Sequence, residues 1–427
     1  MEISGKREFE LLKKIGFVRM AGTPQEKQAA EILMDEVRAV GLEPVCEEFE
    51  IEDADITAAQ LEILRPYNKT YTVTAYKLSE STPAVGLTAP FYYAENMTAA
   101  DIANAEGKII LVNGFLSLDL YKKIIKSKAA AFITMSGNML DTDENSDLFT
   151  RTLRSTMREF GNLPGANIRT TDAFDIVKNG ASMAKLTVVN TPKKLTSRNV
   201  IATIKGSEKP DEVITFGAHF DSVEFSTGVY DNGAGSVINM EIMRHFVKNP
   251  PKRTVRFCWF GSEEIGLEGS KAFVRDHEEE LKKDVYMINV DVAGSVIGYD
   301  IARVVATAAA TSHTDAFMKR KGYAVDVKQD IYSSDSIPFA DKGVPAINFI
   351  RFGHQIGGAF IHCRNDVIDY LSPESLERTT KFILDYSDEV INSAVMPIDR
   401  TVPPEMVEKV DKYLNKKALE EARKDKK

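Results

Sequence analysis

Three apolar runs rich in β-branched and aromatic residues each end in a short polar cluster, and that alternation constrains the fold more than any other feature. Val213 to Ala218 leads into His219-Phe220-Asp221, Val255 to Phe260 into Gly261-Ser262-Glu263-Glu264, and Val285 to Val290 into Asp291. Such runs read as strands buried on both faces of a parallel sheet, and polar groups at their C-terminal ends lie where open α/β sheets take ligands. Helix patterns fall between them. Asp231-Asn232-Gly233-Ala234-Gly235 opens one in which Val237, Ile238, Ile242 and Phe246 are apolar, and Asn249-Pro250-Pro251 closes it. The alternation predicts an α/β fold with a mostly parallel, doubly wound sheet flanked by helices. His219, Glu263, Glu264 and Asp291 then converge on one edge of that sheet.

The rest of the chain reads as support. Thr23-Pro24-Gln25-Glu26 predicts a helix start, with Thr23 as cap, Pro24 in the first turn and Glu26 completing a capping box; Gly41 ends the helix. Between about 51 and 195 the character changes to a β-rich module, with short strands at Leu61 to Leu64 and Thr70 to Ala75. A buried strand follows at Gly107 to Val112, then a helix near Leu120 to Lys128, a strand at Ala129 to Thr134 and a closing strand at Leu186 to Val189. The main domain is thus discontinuous, 1–50 and 196–400. It resumes with a strand at Val200 to Ile204 and contains a helix near Ala306 to Lys319, a loop at Ser333 to Phe339, a strand at Pro345 to Ile350 and a helix from Ser372 to about Asn392. Residues 401–427 form a charged, helix-compatible tail that reads as solvated.

Composition narrows the partners. A net charge of −9 over 427 residues argues against nucleic-acid binding, which needs a basic surface. No apolar run approaches the roughly 20 residues that span a bilayer. Met1 to Phe17 is charged throughout and lacks the apolar core of a signal peptide. Cys46, Cys258 and Cys363 are too few for a disulfide framework, which fits a reducing, cytoplasmic setting. The acidic loop Asp141 to Asp147 matches no EF-hand spacing and reads as solvated. Asn68-Lys69-Thr70 and Asn96-Met97-Thr98 are chance matches to a glycosylation acceptor.

Imidazole and carboxylate are the ligands of a borderline divalent metal such as zinc. One carboxylate can bridge two ions roughly 3.5–4 Å apart. Three ligand carboxylates and a hydroxide would nearly neutralise two Zn²⁺. Glu263 is then the spare carboxylate, able to take a proton from water and pass it to a leaving amine. Asp221, two residues beyond His219 on an extended chain, points the same way and can orient the imidazole.

Together, Gly217-Ala218-His219-Phe220-Asp221-Ser222, Asp231-Asn232-Gly233-Ala234-Gly235 and Phe260 to Ser270 resemble the M28 family of cocatalytic zinc aminopeptidases. Asn289-Val290-Asp291, Ser334-Asp335-Ser336-Ile337-Pro338-Phe339, and His362 before Asn365-Asp366 are similar to it too. The likeness covers residues 1 to about 50 and about 196 to 395; the middle segment resembles a protease-associated domain. The resemblance implies two zinc ions per chain, with Co²⁺ or Mn²⁺ as substitutes. His219 and Asp291 would hold one, Glu264 and His362 the other, with Asp231 bridging, Glu263 as general base and Asp221 behind His219. It also implies a cis peptide after Asp231 and attack by a bridging hydroxide on the first peptide bond of a peptide substrate.

Two positions depart from the family. Ile361 stands where several members carry a tyrosine, and Ser333 where some carry an arginine; Tyr332, Arg351 or His354 are candidate replacements. Other readings stay open. Arg351 and Arg364 would suit a carboxypeptidase or dipeptidase, a glutaminyl cyclase would use one zinc, and a non-catalytic scaffold would lose ligands. The inserted module would restrict substrate length or mediate homodimer contacts.

Overall fold

The computed structural model describes residues 3–142, 144–353 and 360–425. The chain divides into two compact units, Met1–Ile51 with Thr196–Lys416, and Glu52–Leu195 with Lys417–Lys427.

In the first unit the strands lie in the order Val325–Gln329, Gly298–Val305, Ala346–Gly353, Asp284–Val290, Lys209–His219, Arg253–Phe260, followed by the end of Met183–Ile204. Parallel pairing joins Lys209–His219 to Arg253–Phe260 and to Asp284–Val290, and Asp284–Val290 to Ala346–Gly353. Every residue of Arg253–Phe260 and Asp284–Val290 is buried, and apart from Arg253, Thr254, Arg256, Asp284 and Asn289 their side chains are apolar on both faces. Register fixes the site: His219 stands beside Phe260 and Gly217 beside Asn289, so these strands reach their C-terminal ends together. Antiparallel pairing enters where Met183–Ile204 meets Arg253–Phe260 and where Gly298–Val305 meets Ala346–Gly353.

Helices Gly5–Ile15, Pro24–Ala39, Ala234–Lys248 and Pro373–Asn392 contribute Leu12, Ile15, Leu33, Ile238, Phe246, Phe382 and Tyr386 to one buried cluster with Phe216, Phe257 and Trp259. The Phe216 and Phe257 rings stack at 5.0 Å. Thr23 caps its helix as expected, accepting from the Glu26 N–H at 3.2 Å. Glu26 does not close the box: its carboxylate accepts from Gly22 N–H at 3.0 Å and turns to Ser197.

Three sequence expectations change here. Ser333 to Phe339 is not all loop, because Ser336–Asp341 is helical with Ile337 and Phe339 buried. The tail is not simply solvated: helix Pro404–Tyr413 buries Met406 and Val410 against the cluster that holds Ile337 and Phe339. Strands Leu186 to Val189 and Val200 to Ile204 are parts of one strand, Met183–Ile204.

The second unit is less purely β than its composition suggests. Its strands Leu87–Ala94, Ile109–Val112, Ala131–Ser136 and Gly165–Arg169 pair in parallel, with Val73–Lys77 antiparallel to the last. Parallel neighbours need crossovers, supplied here by Ala99–Asn104, Leu118–Lys126 and a longer connection. The expected strand at Leu61 is the end of Val45–Arg65, where Phe49, Ile51 and Asp53 are buried and Glu50 and Glu52 exposed.

Candidate metal centre

Each candidate ligand sits at the end of an element that fixes it. His219 ends the central strand, Asp291 follows Asp284–Val290, and Glu263 and Glu264 follow Arg253–Phe260. Asp231 lies in the turn before Ala234–Lys248, with a cis peptide to Asn232. Asp231 stands between two imidazoles: its Oδ1 is 3.2 Å from His219 Nε2 and its Oδ2 is 3.1 Å from His362 Nε2. His219 Nε2 is also 3.5 Å from Asp291, and His362 Nε2 is 2.9 Å from Glu264. Potential ligand atoms of His219, Asp231 and Glu264 lie within 4.8 Å of one another, as do those of His219, Glu263 and Asp291. The structure thus brings all seven candidate residues to one place, with Asp221 behind His219 at 3.4 Å from its Nδ1.

Asp221 also ties the strand ends together. It is fully buried, and its two oxygens accept from the backbone N–H groups of Glu263 at 3.0 Å and Glu264 at 3.3 Å. Behind Glu263, Ser262 Oγ donates to Ser197 Oγ at 2.7 Å, and Ser197 bonds Glu26. A Cβ at Gly269 would meet the Gly261 carbonyl at 2.1 Å, so only glycine lets helix Glu268–Asp276 pack against this turn.

The electrostatics describe a site crowded with like charge. Burial, Glu264, Asp335 and Asp291 push the Glu263 carboxyl well above its ordinary range against His219. Burial and Asp231 lift Glu264 to about 7, opposed by His362. Burial would raise Asp231, yet hydrogen bonds to His219 and His362 hold it below the usual carboxylate range. Burial would lower both imidazoles; Glu263 and the hydrogen-bonded aspartates raise His219, and Glu264 and Asp231 raise His362. Protons here neutralise charge that a divalent cation would neutralise instead. Glu264 Oε1 and Asp291 Oδ1 are buried and have no hydrogen-bond partner among the described residues, so lone pairs remain for an ion.

Glu26 gives a pH dependence. Burial pushes its carboxyl up to about 8 from an ordinary 4.5, against the pull of Ser197 and Gly22. Across that window the folded chain keeps a proton that the unfolded chain has released, so this group's contribution to stability falls as pH rises. Glu26→Gln can reproduce both hydrogen bonds. Its stability relative to the parent is expected to be near zero below the window and to climb to a plateau above pH 8 in urea titrations; a flat difference would place the neutral carboxyl elsewhere.

Several other candidates are otherwise engaged. Arg351 is buried and donates to the carbonyls of Ser295 and Val296 and to Asp300, so it has no fork left for a substrate carboxylate. Ser333 Oγ bonds Tyr413 Oη at 2.5 Å. Ile361 and Arg364 are exposed. Tyr332 is half-buried, and burial together with Asp291, Asp231, Tyr230 and Glu263 raises its hydroxyl. His354 lies outside the described residues.

Sequence reasoning missed Arg19, Glu26 and Ser197 as parts of this centre, and Asp366 was noted only as sequence context for His362. Asp335, fully buried, also lies close enough for its charge to act on Glu263, and burial pushes its carboxyl up to about 7.

Imidazoles and carboxylates gathered at the C-terminal ends of buried parallel strands make up a donor set that suits divalent metal ions. Residues 199–387 match Peptidase family M28. Aminopeptidase YwaD of Bacillus subtilis (strain 168) is 27% identical over 402 residues, covering 91% of this chain and 84% of its own length. Leucine aminopeptidase 2 of Trichophyton rubrum is 29% identical over 286 residues, 65% of this chain and 55% of its own. The structure of BSAP, a zinc aminopeptidase from Bacillus subtilis, superposes with a TM-score of 0.76 at 25% identity, covering 95% of this chain and 99% of that one. The match over residues 199–387 and the likeness to these aminopeptidases make the chain a metallopeptidase similar to peptidase family M28. Among the described residues no helix is long and apolar enough to cross a membrane.

Proposed function

We propose that this chain is a zinc aminopeptidase that removes N-terminal residues from peptides at a dinuclear centre. One observation carries the reading: the two oxygens of Asp231 face different imidazoles, and each imidazole has its own further carboxylate, Asp291 at His219 and Glu264 at His362. That is the donor arrangement of two adjacent ions sharing one bridging carboxylate, and the unspent oxygens of Glu264 and Asp291 fit it. Zinc is favoured by the donor set and by the zinc aminopeptidase of Bacillus subtilis; Co²⁺ or Mn²⁺ would substitute. Paired ions of this kind polarise a carbonyl and lower the pKa of water.

The protein's own groups do the rest. Surplus carboxylate at the site attracts a protonated α-amine. Glu263 accepts the proton of the attacking water and returns it to the leaving amine. Asp221 holds the His219 ring and, through two backbone N–H groups, the glutamate pair. Of the candidates among the described residues, Tyr332, half-buried with Asp291, Asp231 and Glu263 among the charges that act on it, is the one we assign to the developing oxyanion, because Arg351 is engaged. Tyr332→Phe is expected to lower kcat about a hundredfold with zinc content unchanged. A near-parental kcat would move the donor elsewhere.

The buried Arg351 also weighs against the carboxypeptidase alternative. Mass spectrometry of a mixed peptide library, some members N-acetylated, tests the choice. Loss of residues from free N-termini alone is expected; trimming from C-termini, or none, would overturn it. Chelation should abolish trimming and lower the melting temperature, because ligand present at 100 times its Kd contributes about 2.7 kcal/mol. Added zinc should restore both.

A further inference from the structure

We propose that the loop carrying Asp231 is held in place by a two-sided hydrogen-bond clamp, Asp366 on its donors and Arg19 on its acceptors, and that these two residues position the metal centre. The inference rests on the dinuclear reading above.

Asp366 is fully buried. Its Oδ1 accepts from Tyr230 N–H at 2.8 Å, and its Oδ2 accepts from Asp231 N–H and Ser226 Oγ, each at 3.2 Å. Its carbonyl accepts from Thr227 Oγ1 at 2.6 Å. All three partners of the carboxylate are donors, so only an all-acceptor group fits; an amide would turn its NH₂ against an N–H or O–H. Asp366 stands four residues after His362. One side chain therefore ties the segment that bears one candidate ligand to the backbone N–H of another, Asp231.

Arg19 grips the same loop by its carbonyls. It too is fully buried, and its guanidinium donates to Thr227 and Gly228 in the loop, to Phe220 just after His219, and to Ile15 and Phe17 of the N-terminal segment. Its backbone N–H donates to Ser222 Oγ at 3.0 Å. A planar fork with five N–H groups can join so many carbonyls at once; a lysine cannot. At Gly228, φ is +58° and a Cβ would meet Ser222 Cβ at 2.6 Å and the Asp231 carbonyl at 2.9 Å, so the loop closes tightly around this pair. With its N–H groups held by Asp366 and its carbonyls by Arg19, the loop is tied from both sides in the arrangement in which Asp231 faces both histidines. Neither group reaches the reacting atoms, so both act through Asp231.

The test is the zinc affinity of metal-free protein, by competition with a chromophoric chelator, alongside thermal melts and kcat and KM. Asp366→Asn and Arg19→Lys are each expected to weaken zinc binding by roughly 10–100-fold. Excess zinc should return kcat towards the parent with KM unchanged, which a loss of packing alone would not do. Ser226→Ala removes one of the three donors to the carboxylate, together with the acceptor of the Gly228 N–H, and leaves Asp366 and Arg19 themselves in place; it should weaken zinc several-fold in a folded protein. Parental zinc affinity in folded Asp366→Asn would overturn the clamp. If Asp366→Asn does not fold, parental affinity in Ser226→Ala overturns it and weakened affinity supports it. A parent protein that binds no zinc would instead overturn the dinuclear reading itself.

Discussion

Glu263→Gln is expected to lower kcat by on the order of 10²–10⁴-fold while zinc content by elemental analysis stays at the parental level. The amide has the carboxylate's size and keeps the backbone N–H bond to Asp221, so the strand end should not move. What disappears is the ability to accept a proton and return it. Glu264→Ala should behave in the opposite way: it deletes the carboxylate 2.9 Å from His362 Nε2, so metal content should fall first and activity with it. The pair of variants separates two roles that adjacent residues share in sequence. Loss of zinc in Glu263→Gln would make Glu263 a ligand, an outcome its position beside His219 and Asp291 leaves room for. Near-parental turnover would place the base elsewhere.

Much of the fold was legible because buried parallel strands leave an unambiguous record. Arg253–Phe260 and Asp284–Val290 are buried along their whole length, so apolar side chains occupy most positions on both faces and the polar clusters that follow stand out. Strand Val325–Gln329 escaped notice because none of its residues is fully buried and its sequence, Val-Asp-Val-Lys-Gln, is half polar. Helix Gly5–Ile15 was hidden by its charges, although Leu11, Leu12 and Ile15 are buried at helical spacing. In the second unit, short strands interrupted by brief helices gave a β signal, and parallel pairing is a relation between segments that no single segment displays.

The site divides along the same line. Candidate ligands sit at strand ends and carry chemistry in their type, so His219, Glu263, Glu264 and Asp291 could be read in place. Residues that hold them do not. Arg19 bonds five backbone carbonyls, and carbonyls have no sequence signature. Glu26 reads as a capping residue, and its deeper link through Ser197 to Ser262 joins three distant segments. Arg351 shows the converse: by type it suggests carboxylate recognition, but burial commits it to Asp300 and two carbonyls.

Trp259→Ala is expected to destabilise the protein by about 3–5 kcal/mol, the range for truncating a large aromatic in a close-packed core. Trp259 is fully buried, with its ring 6.2 Å from that of Phe257. Its indole N–H donates to the Ser236 carbonyl at 2.9 Å, at the start of the helix that follows Asp231. It therefore joins the strand that delivers Glu263 and Glu264 to the turn that delivers Asp231. Trp259→Phe keeps much of the buried area and loses the hydrogen bond, so it should cost about 1–2 kcal/mol. At 2–4 °C per kcal/mol for a domain of this size, the alanine variant should melt on the order of 10 °C lower. Trp259 is the only tryptophan, so parent unfolding can be followed by its fluorescence and the variants by far-UV circular dichroism. Equal losses in the two variants would assign the stabilisation to the hydrogen bond rather than to packing. If packing dominates, Trp259→Ala at a temperature where it remains folded should also bind zinc more weakly than Trp259→Phe, because the void lies between the two backbone segments whose spacing sets the ligands.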